Sequence, residues 1–346
     1  MQIDVGLDTT DLDDAAGAHV VAEAARAGFG RIWIGSIADP FQACALRWAA
    51  ARSTLPDGIG TAIGVVPVGQ DTPVSLAVRA AALSRLTGGR FILGIGAGSS
   101  YEAAYRQTWG ISERSPLALV RAYLTTIRGF LAGESVTWAG SGISYEAARL
   151  PGGSVTAPVY LGAAGPQMVR LGGELADGIY LSWCTPENVT QTRDLIAEGA
   201  QQTGRDPAGV TLAASVRVCV DDDPEIARLA FARALLPYVL GWSGAPPRAF
   251  RSAFARMGFA AEIDSLDELQ ARGTDREQIV RAFPERMLRA LGYFGPADGA
   301  ADAVRRQAAG ADIAVIRVVA SGPGAEPILR IIDACSPVAC RGQGRT

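Results

Sequence analysis

Lysine is absent from the 346-residue chain: all 32 basic side chains are arginines. Schiff-base and pyridoxal-phosphate chemistry need a lysine amine, and so does the phosphate loop of nucleotide hydrolases, so those classes are excluded. Histidine occurs once, as His19. A single imidazole cannot build a histidine-rich zinc site, and a Ser-His-Asp triad would have to use that one residue. The cysteines, Cys44, Cys184, Cys219, Cys335 and Cys340, are odd in number and lack C-x-x-C or metal spacing. They read as reduced thiols of a cytoplasmic protein, with no metal expected. No apolar run is long enough for a membrane span. A net charge of −3 supplies no basic field for nucleic acid. The opening MQIDVGLDTTDLDD puts acids where a secretion signal needs a basic and then an apolar stretch.

What is present is alternation. Short β-type runs at Ile3–Leu7, Arg31–Gly35, Ile59–Val65, Phe91–Ile95, Pro158–Gly162, Gly178–Ser182, Thr211–Val218 and Asp312–Val318 are separated by helical patterns. Val74, Ala77, Val78 and Ala81 recur at the helical period, and Gly88-Gly89 stops that helix before the next strand. Eight strands in βα alternation predict an α/β chain forming a single (β/α)8 TIM barrel over residues 1–340, with 341–346 as a tail. A doubly wound sheet is the rival. Gly94-Ile-Gly96-Ala-Gly98 argues against it, because Ser99 stands where the dinucleotide motif needs its third glycine. Two intervals exceed simple crossovers. One, from 96 to 157, holds a hairpin-like piece at Ser135–Leu150. The other is a helical insertion between strands seven and eight, at about 221–295, which is either a lid over the mouth or a packing or dimer surface.

The active site of such a barrel lies at the C-terminal strand ends. Those positions include Asp8, Thr9, Ser36, Ile37, Gly64, Gly96–Ser100, Ala163–Gln167, Ser182–Cys184, Arg217 and Ser321–Gly324. They are rich in Gly, Ala and Ser and poor in acids, bases and nucleophiles. Such a mouth leaves room for a large planar ligand that carries the hard chemistry. Gly162-Ala-Ala-Gly165-Pro166-Gln167 leads into a helix with Pro in its first turn, which makes an anion site or an ordinary tight turn. Other polar residues have plainer readings. His19 pairs with Glu23 four residues on along a helix face. Asp11, Asp13 and Asp14, like Asp221–Asp223, read as helix caps and first-turn acids. Trp183 either faces a ring or packs, and Cys184 reads as inert.

Together these segments resemble a known family. Leu86-Thr-Gly-Gly-Arg90-Phe-Ile-Leu-Gly-Ile-Gly96-Ala-Gly98 is similar to the strand-four motif of luciferase-like flavin and deazaflavin oxidoreductases. The run from Pro158 to Glu187 resembles the strand-five to strand-six signature of the branch using coenzyme F420, and Ile59–Ile63 and Asp39–Phe41 also match family segments. The resemblance implies a strand-three bulge behind the tricyclic ring, with a non-prolyl cis peptide within Ala62–Val65. It implies that Ser36, Ala62, Ile63, Gly64, Gly96, Ala97, Gly98 and Ser99 surround the ring. The phosphate would meet Ala163, Ala164, Gly165, Pro166 and Gln167. It also implies a homodimer and a small-molecule substrate, with Trp183 assigned to the substrate pocket. The chain departs from the family at two proton-handling positions: Ser36-Ile37 replaces the usual Asp-His after strand two, and Ser99 replaces the usual acid after strand four. Alcohol oxidation is therefore less favoured than reduction of an activated C=C or C=N bond, with Asp8, Tyr101 and Glu102 as candidate catalytic residues. The alternatives are an FMN-dependent monooxygenase and a cofactor-binding homologue without turnover.

Overall fold

The computed structural model describes residues 1–7, 12, 14–35, 39–52, 59–241 and 248–338. Eight parallel strands close into a barrel: Gln2–Gly6, Arg31–Ile34, Gly60–Pro67, Phe91–Gly96, Val159–Gly162, Gly178–Ser182, Thr211–Val220 and Ile313–Val318. Each pairs with its neighbour in chain order, and the eighth returns to the first through Gln2↔Ile313 to Gly6↔Arg317. Each expected strand is present to within two residues at either end. The doubly wound alternative is excluded, since an open sheet has no such closing pair.

Alternation along each strand divides the apolar residues into two shells. Val5, Ile32, Ile34, Ile63, Leu93, Leu161, Ile179, Leu212, Val216 and Ile316 face outward and are buried under the surrounding helices. The barrel interior holds Trp33, Ala62, Ile92, Tyr160, Tyr180, Ala213, Ile313 and Val315. Within it Trp33 stacks on Tyr180, with ring centroids 5.0 Å apart and an interplanar angle of 23°, while Tyr160 leans on Trp33 from 6.0 Å. These rings fill the interior with side chains and make a solid floor beneath the mouth.

The Ser135–Leu150 piece is a hairpin, Val136–Gly140 paired antiparallel with Ile143–Ala148. Between the seventh and eighth barrel strands the chain forms helices Pro224–Leu240, Arg248–Arg256, Ala260–Ala271, Arg276–Arg281 and Glu285–Leu291. A short strand, Gly292–Gly295, then pairs with the end of strand seven. These helices have a core of their own, built from Phe231, Leu235, Phe254, Leu266, Met287 and Phe294, which also takes in Trp183 and Cys219 from the barrel strands. Asp223 caps the first of them through the amides of Glu225 and Ile226, as the sequence pattern indicates. His19 Nδ1 lies 3.8 Å from Glu23 on an exposed helix face. No helix is long and apolar enough to cross a membrane, and no cluster of three metal-ligating residues occurs, among the described residues.

Asp4 is the one buried carboxylate in the barrel interior among the described residues. Trp33 Nε1 donates to it at 2.8 Å and Gln2 Nε2 at 2.6 Å, with Arg31 3.9 Å away. Burial outweighs these partners and raises its carboxyl above the ordinary range near 3.8. A raised folded-state value means the native protein holds this proton more tightly than the unfolded chain. Its contribution to stability is therefore greatest in acid and is lost as pH rises. Asp4→Asn removes that titration. Melting temperatures from about pH 3 to about pH 7 should show the wild type losing stability relative to the variant as pH increases, and a widening wild-type advantage would contradict this.

Candidate active site at the barrel mouth

The uppermost inward-facing layer of the barrel is unusually bare. Alternation places Gly6, Gly35, Gly64, Gly96 and Gly162 there from the first five strands, and Ser182, Arg217 and Arg317 from the last three. Strand three carries one extra residue against strand four, since Ile63 pairs with Leu93 but Val66 with Ile95. The Gly64–Val65 peptide within this bulge is cis, inside the expected Ala62–Val65 window. The bulge swings Val65 across the mouth. A Cβ added at Gly96 would lie 2.9 Å from Val65 Cγ2, and one at Gly162 would lie 2.9 Å from Val65 Cγ1. Gly94 has no room either, being pressed against the Ile63 carbonyl. A Cβ at Gly64 would meet Trp33 and Tyr180 at 3.0 and 3.2 Å. Glycine is thus required on strands four and five for Val65 to lie over the aromatic floor.

The expected ring contacts divide accordingly. Gly64, Gly96, Gly98 and Ser99 stand at the mouth. Ala62 lies one layer lower beside Trp33, and Ile63, Ala97 and Ala163 point outward into the helix layer, so these offer at most backbone. Ser36 and Asp8 lie outside the described residues. The loop after strand four is held by the Ser100 amide on the Ala97 carbonyl and the Glu102 amide on that of Ser99. Arg106 secures it further by donating to the Ser100 carbonyl at 2.9 Å. Ser100 Oγ is buried without a partner. Tyr101 is partly exposed, and desolvation raises its phenol further above neutrality, so it keeps its proton. Glu102 is half-buried at the N-cap of helix Ala103–Thr108 without capping it.

The loop after strand five leads into helix Pro166–Leu175, whose N-cap Gly165 supplies no side-chain cap. Its first-turn amides and dipole favour an anion. Close packing fixes the helix: Gly173 lies against the Ile196 carbonyl, and Gly199 against that of Arg170. Arg205 donates to the Gly173 and Ala176 carbonyls at the opposite end, at 2.9 and 2.8 Å. Sequence reasoning missed Arg256. It comes from helix Arg248–Arg256, 92 residues away, and its Nη2 donates to the Ala164 carbonyl at 2.8 Å. Only the fold brings that charge to this turn.

Trp183 has no exposed surface. It packs against Phe231 and Tyr238, with the Arg217 guanidinium over its ring. Cys184 is buried and its thiol is pushed up to about 12, which leaves it protonated and unreactive at neutral pH.

With this geometry in place, comparison with known proteins is informative. The family model for luciferase-like monooxygenases matches residues 4–312. The chain belongs to this family. A 5,10-methylenetetrahydromethanopterin reductase of Methanolobus tindarius is 32% identical over 226 residues, covering 65% of this chain and 68% of the relative. This luciferase-like chain also shares its fold with the coenzyme F420 dependent tetrahydromethanopterin reductase from Methanopyrus kandleri. That similarity has a TM-score of 0.76 at 21% identity and covers 98% and 99% of the two chains. An F420-dependent secondary alcohol dehydrogenase, solved with an F420-acetone adduct, gives a TM-score of 0.71 at 18% identity over 96% and 98%.

The Val65 wedge is open to a direct test. Gly96→Ala should cost about 1–3 kcal/mol of unfolding free energy by overpacking against Val65. Val65→Ala in the same chain should recover part of that loss. Denaturant unfolding of both single variants and the double variant measures the coupling, and strictly additive losses would show that the two side chains do not compete for this space.

Proposed function

We propose that the protein is an F420-dependent oxidoreductase, acting as a reductase of an activated C=C or C=N bond in a small organic substrate. The observation that carries this reading is the mouth itself: a glycine layer over Val65 that offers no carboxylate or imidazole among its described positions. Such a site binds and orients a ring and leaves the bond-making to it. The residues present fit a planar ring with a phosphate tail. Gly64, Gly96 and Gly162 let Val65 and the aromatic floor close up into a wall without further side chains, Ser100 Oγ is buried without a partner, and helix Pro166–Leu175 begins uncapped beside Arg256.

In this reading Gly64–Val65 and Gly96–Ser99 back the ring. Ala163, Ala164, Gly165, Pro166 and Gln167 receive the phosphate with Arg256. Bound there, the deazaflavin would supply a hydride from C5. Tyr101 of the strand-four loop, protonated at neutral pH, would give the matching proton, with Glu102 and Asp8 as the other proton-handling candidates. The helical insertion between strands seven and eight covers the substrate, and its own core keeps it rigid. Ser36-Ile37, in place of Asp-His, removes the base that alcohol oxidation needs, so reduction is the favoured direction. Both structural relatives described above are F420-dependent, one of them a reductase. A cytoplasmic homodimer belongs to the same reading.

Parallel titration with F420 and FMN, followed by anaerobic mixing of reduced F420 with activated alkenes and imines, tests it. The expected result is saturable F420 binding, weaker or no FMN binding, and substrate-dependent appearance of oxidised F420 without oxygen. Oxygen consumption with FMN would instead establish the monooxygenase, and tight F420 binding with no hydride exchange a homologue without turnover. Arg256→Ala should weaken F420 about two- to fivefold, since the guanidinium is solvent-exposed, with less effect at high salt. Unchanged affinity at low salt would remove Arg256 from the phosphate site.

A further inference from the structure

The two arginines of the mouth layer lie side by side, Arg217 of strand seven in register with Arg317 of strand eight. Like charges directly opposite on adjacent strands repel. Arg217 is more than nine-tenths buried. Its guanidinium lies flat on Trp183, 3.4 Å from the ring centroid, with Tyr238 at 5.4 Å on another side. Nη2 donates to Ser182 Oγ at 3.2 Å. Nη1 is buried and has no acceptor, and no carboxylate is among the groups acting on Arg217. Desolvation, the largest influence on this group, lowers its proton affinity, Tyr238 and Tyr180 oppose that, and the neighbouring Arg317 adds to the lowering.

A buried charged donor without an acceptor is costly, and a stacked guanidinium is already oriented for a planar oxyanion. Packing alone would be satisfied by an apolar side chain in this place, as on the outward faces of the same strands. The polar groups around it meet the need only in part: Ser182 Oγ accepts from Nη2 and the Tyr238 hydroxyl favours the charged form, while Nη1 keeps no acceptor. The position matters too. Arg217 stands in the same inward layer as Gly6, Gly64, Gly96 and Gly162, on the side of the mouth that joins the helical segment through Trp183.

We propose that Arg217, held by Trp183 and Ser182 and supported by the positive charge of Arg317, is a specificity determinant that receives an anionic oxygen group of the substrate, a carboxylate or a phosphate. This rests on the oxidoreductase reading and narrows its substrate to anionic molecules. The reducible bond would lie over the glycine side of the mouth while the anionic end is anchored at strands seven and eight.

The test uses the full chain, with and without saturating F420, titrated with benzoate, phenyl phosphate and the neutral benzamide while tryptophan fluorescence is followed. At least one anion should bind about tenfold or more tightly than benzamide, as a charge-assisted hydrogen bond requires. The benzoate and phenyl phosphate arms distinguish carboxylate from phosphate. Arg217→Gln should abolish the anion preference while changing F420 affinity by less than about threefold. Ser182→Ala, a small change that leaves the stacked pair in place, should reduce the preference and keeps the test valid if the first variant does not fold. Equal affinity for benzoate, phenyl phosphate and benzamide overturns the proposal, as does a preference that survives Arg217→Gln or is unaltered in Ser182→Ala. Loss of F420 binding in Arg217→Gln would also overturn it, by assigning the arginine to the cofactor. Because the preference is read without F420 as well, its failure is separable from a failure of the cofactor reading.

Discussion

The mouth of this barrel is shaped by one packing constraint: Val65 must lie over the Trp33–Tyr180 stack, in space that exists because Gly94, Gly96 and Gly162 have no Cβ. The strand-three bulge supplies the extra residue that turns Val65 inward, and the neighbouring strands supply the glycines that admit it. Everything above this floor follows. The mouth is shallow, its walls are largely backbone on the side of strands one to five, and a flat ligand is the shape that such a surface can meet over most of its area.

Polarity is distributed around this floor with the same economy of side chains. The anion-favouring helix terminus lies after strand five, and Arg256 reaches it from the helical segment. Two further arginines occupy strands seven and eight. The interior below holds its single described carboxylate, Asp4, one inward layer below Gly6, where it is tied to Trp33 and Gln2. Positive charge thus stands on two sides of the mouth, after strand five and on the adjacent strands seven and eight.

Much of this was legible in the sequence. Parallel strands buried on both faces read as short apolar runs, so the barrel could be located, and the glycines of Phe91–Gly98 and Gly162–Gly165 mark close backbone approach at its mouth. Side-chain direction was harder to read. Ala62 and Ile63 sit beside Gly64 in the chain, yet one faces the interior below the mouth and the other the helices, because successive strand residues alternate. Trp183 was ambiguous for a similar reason: its burial depends on Phe231 and Tyr238, which sequence pattern cannot bring to it. Arg256 carried no local signal at all. Arg217 appeared among the strand ends, but its unpartnered nitrogen is a property of the folded neighbourhood.

The most direct test of the account is a crystal structure of the protein with F420 bound. It should show the tricyclic ring resting against Val65 and the Gly64–Val65 backbone, with the phosphate at the Gly165–Gln167 turn and within reach of Arg256. A ring bound away from the Val65 floor, or a phosphate held elsewhere, would contradict the claim that the glycine-lined mouth is the cofactor site.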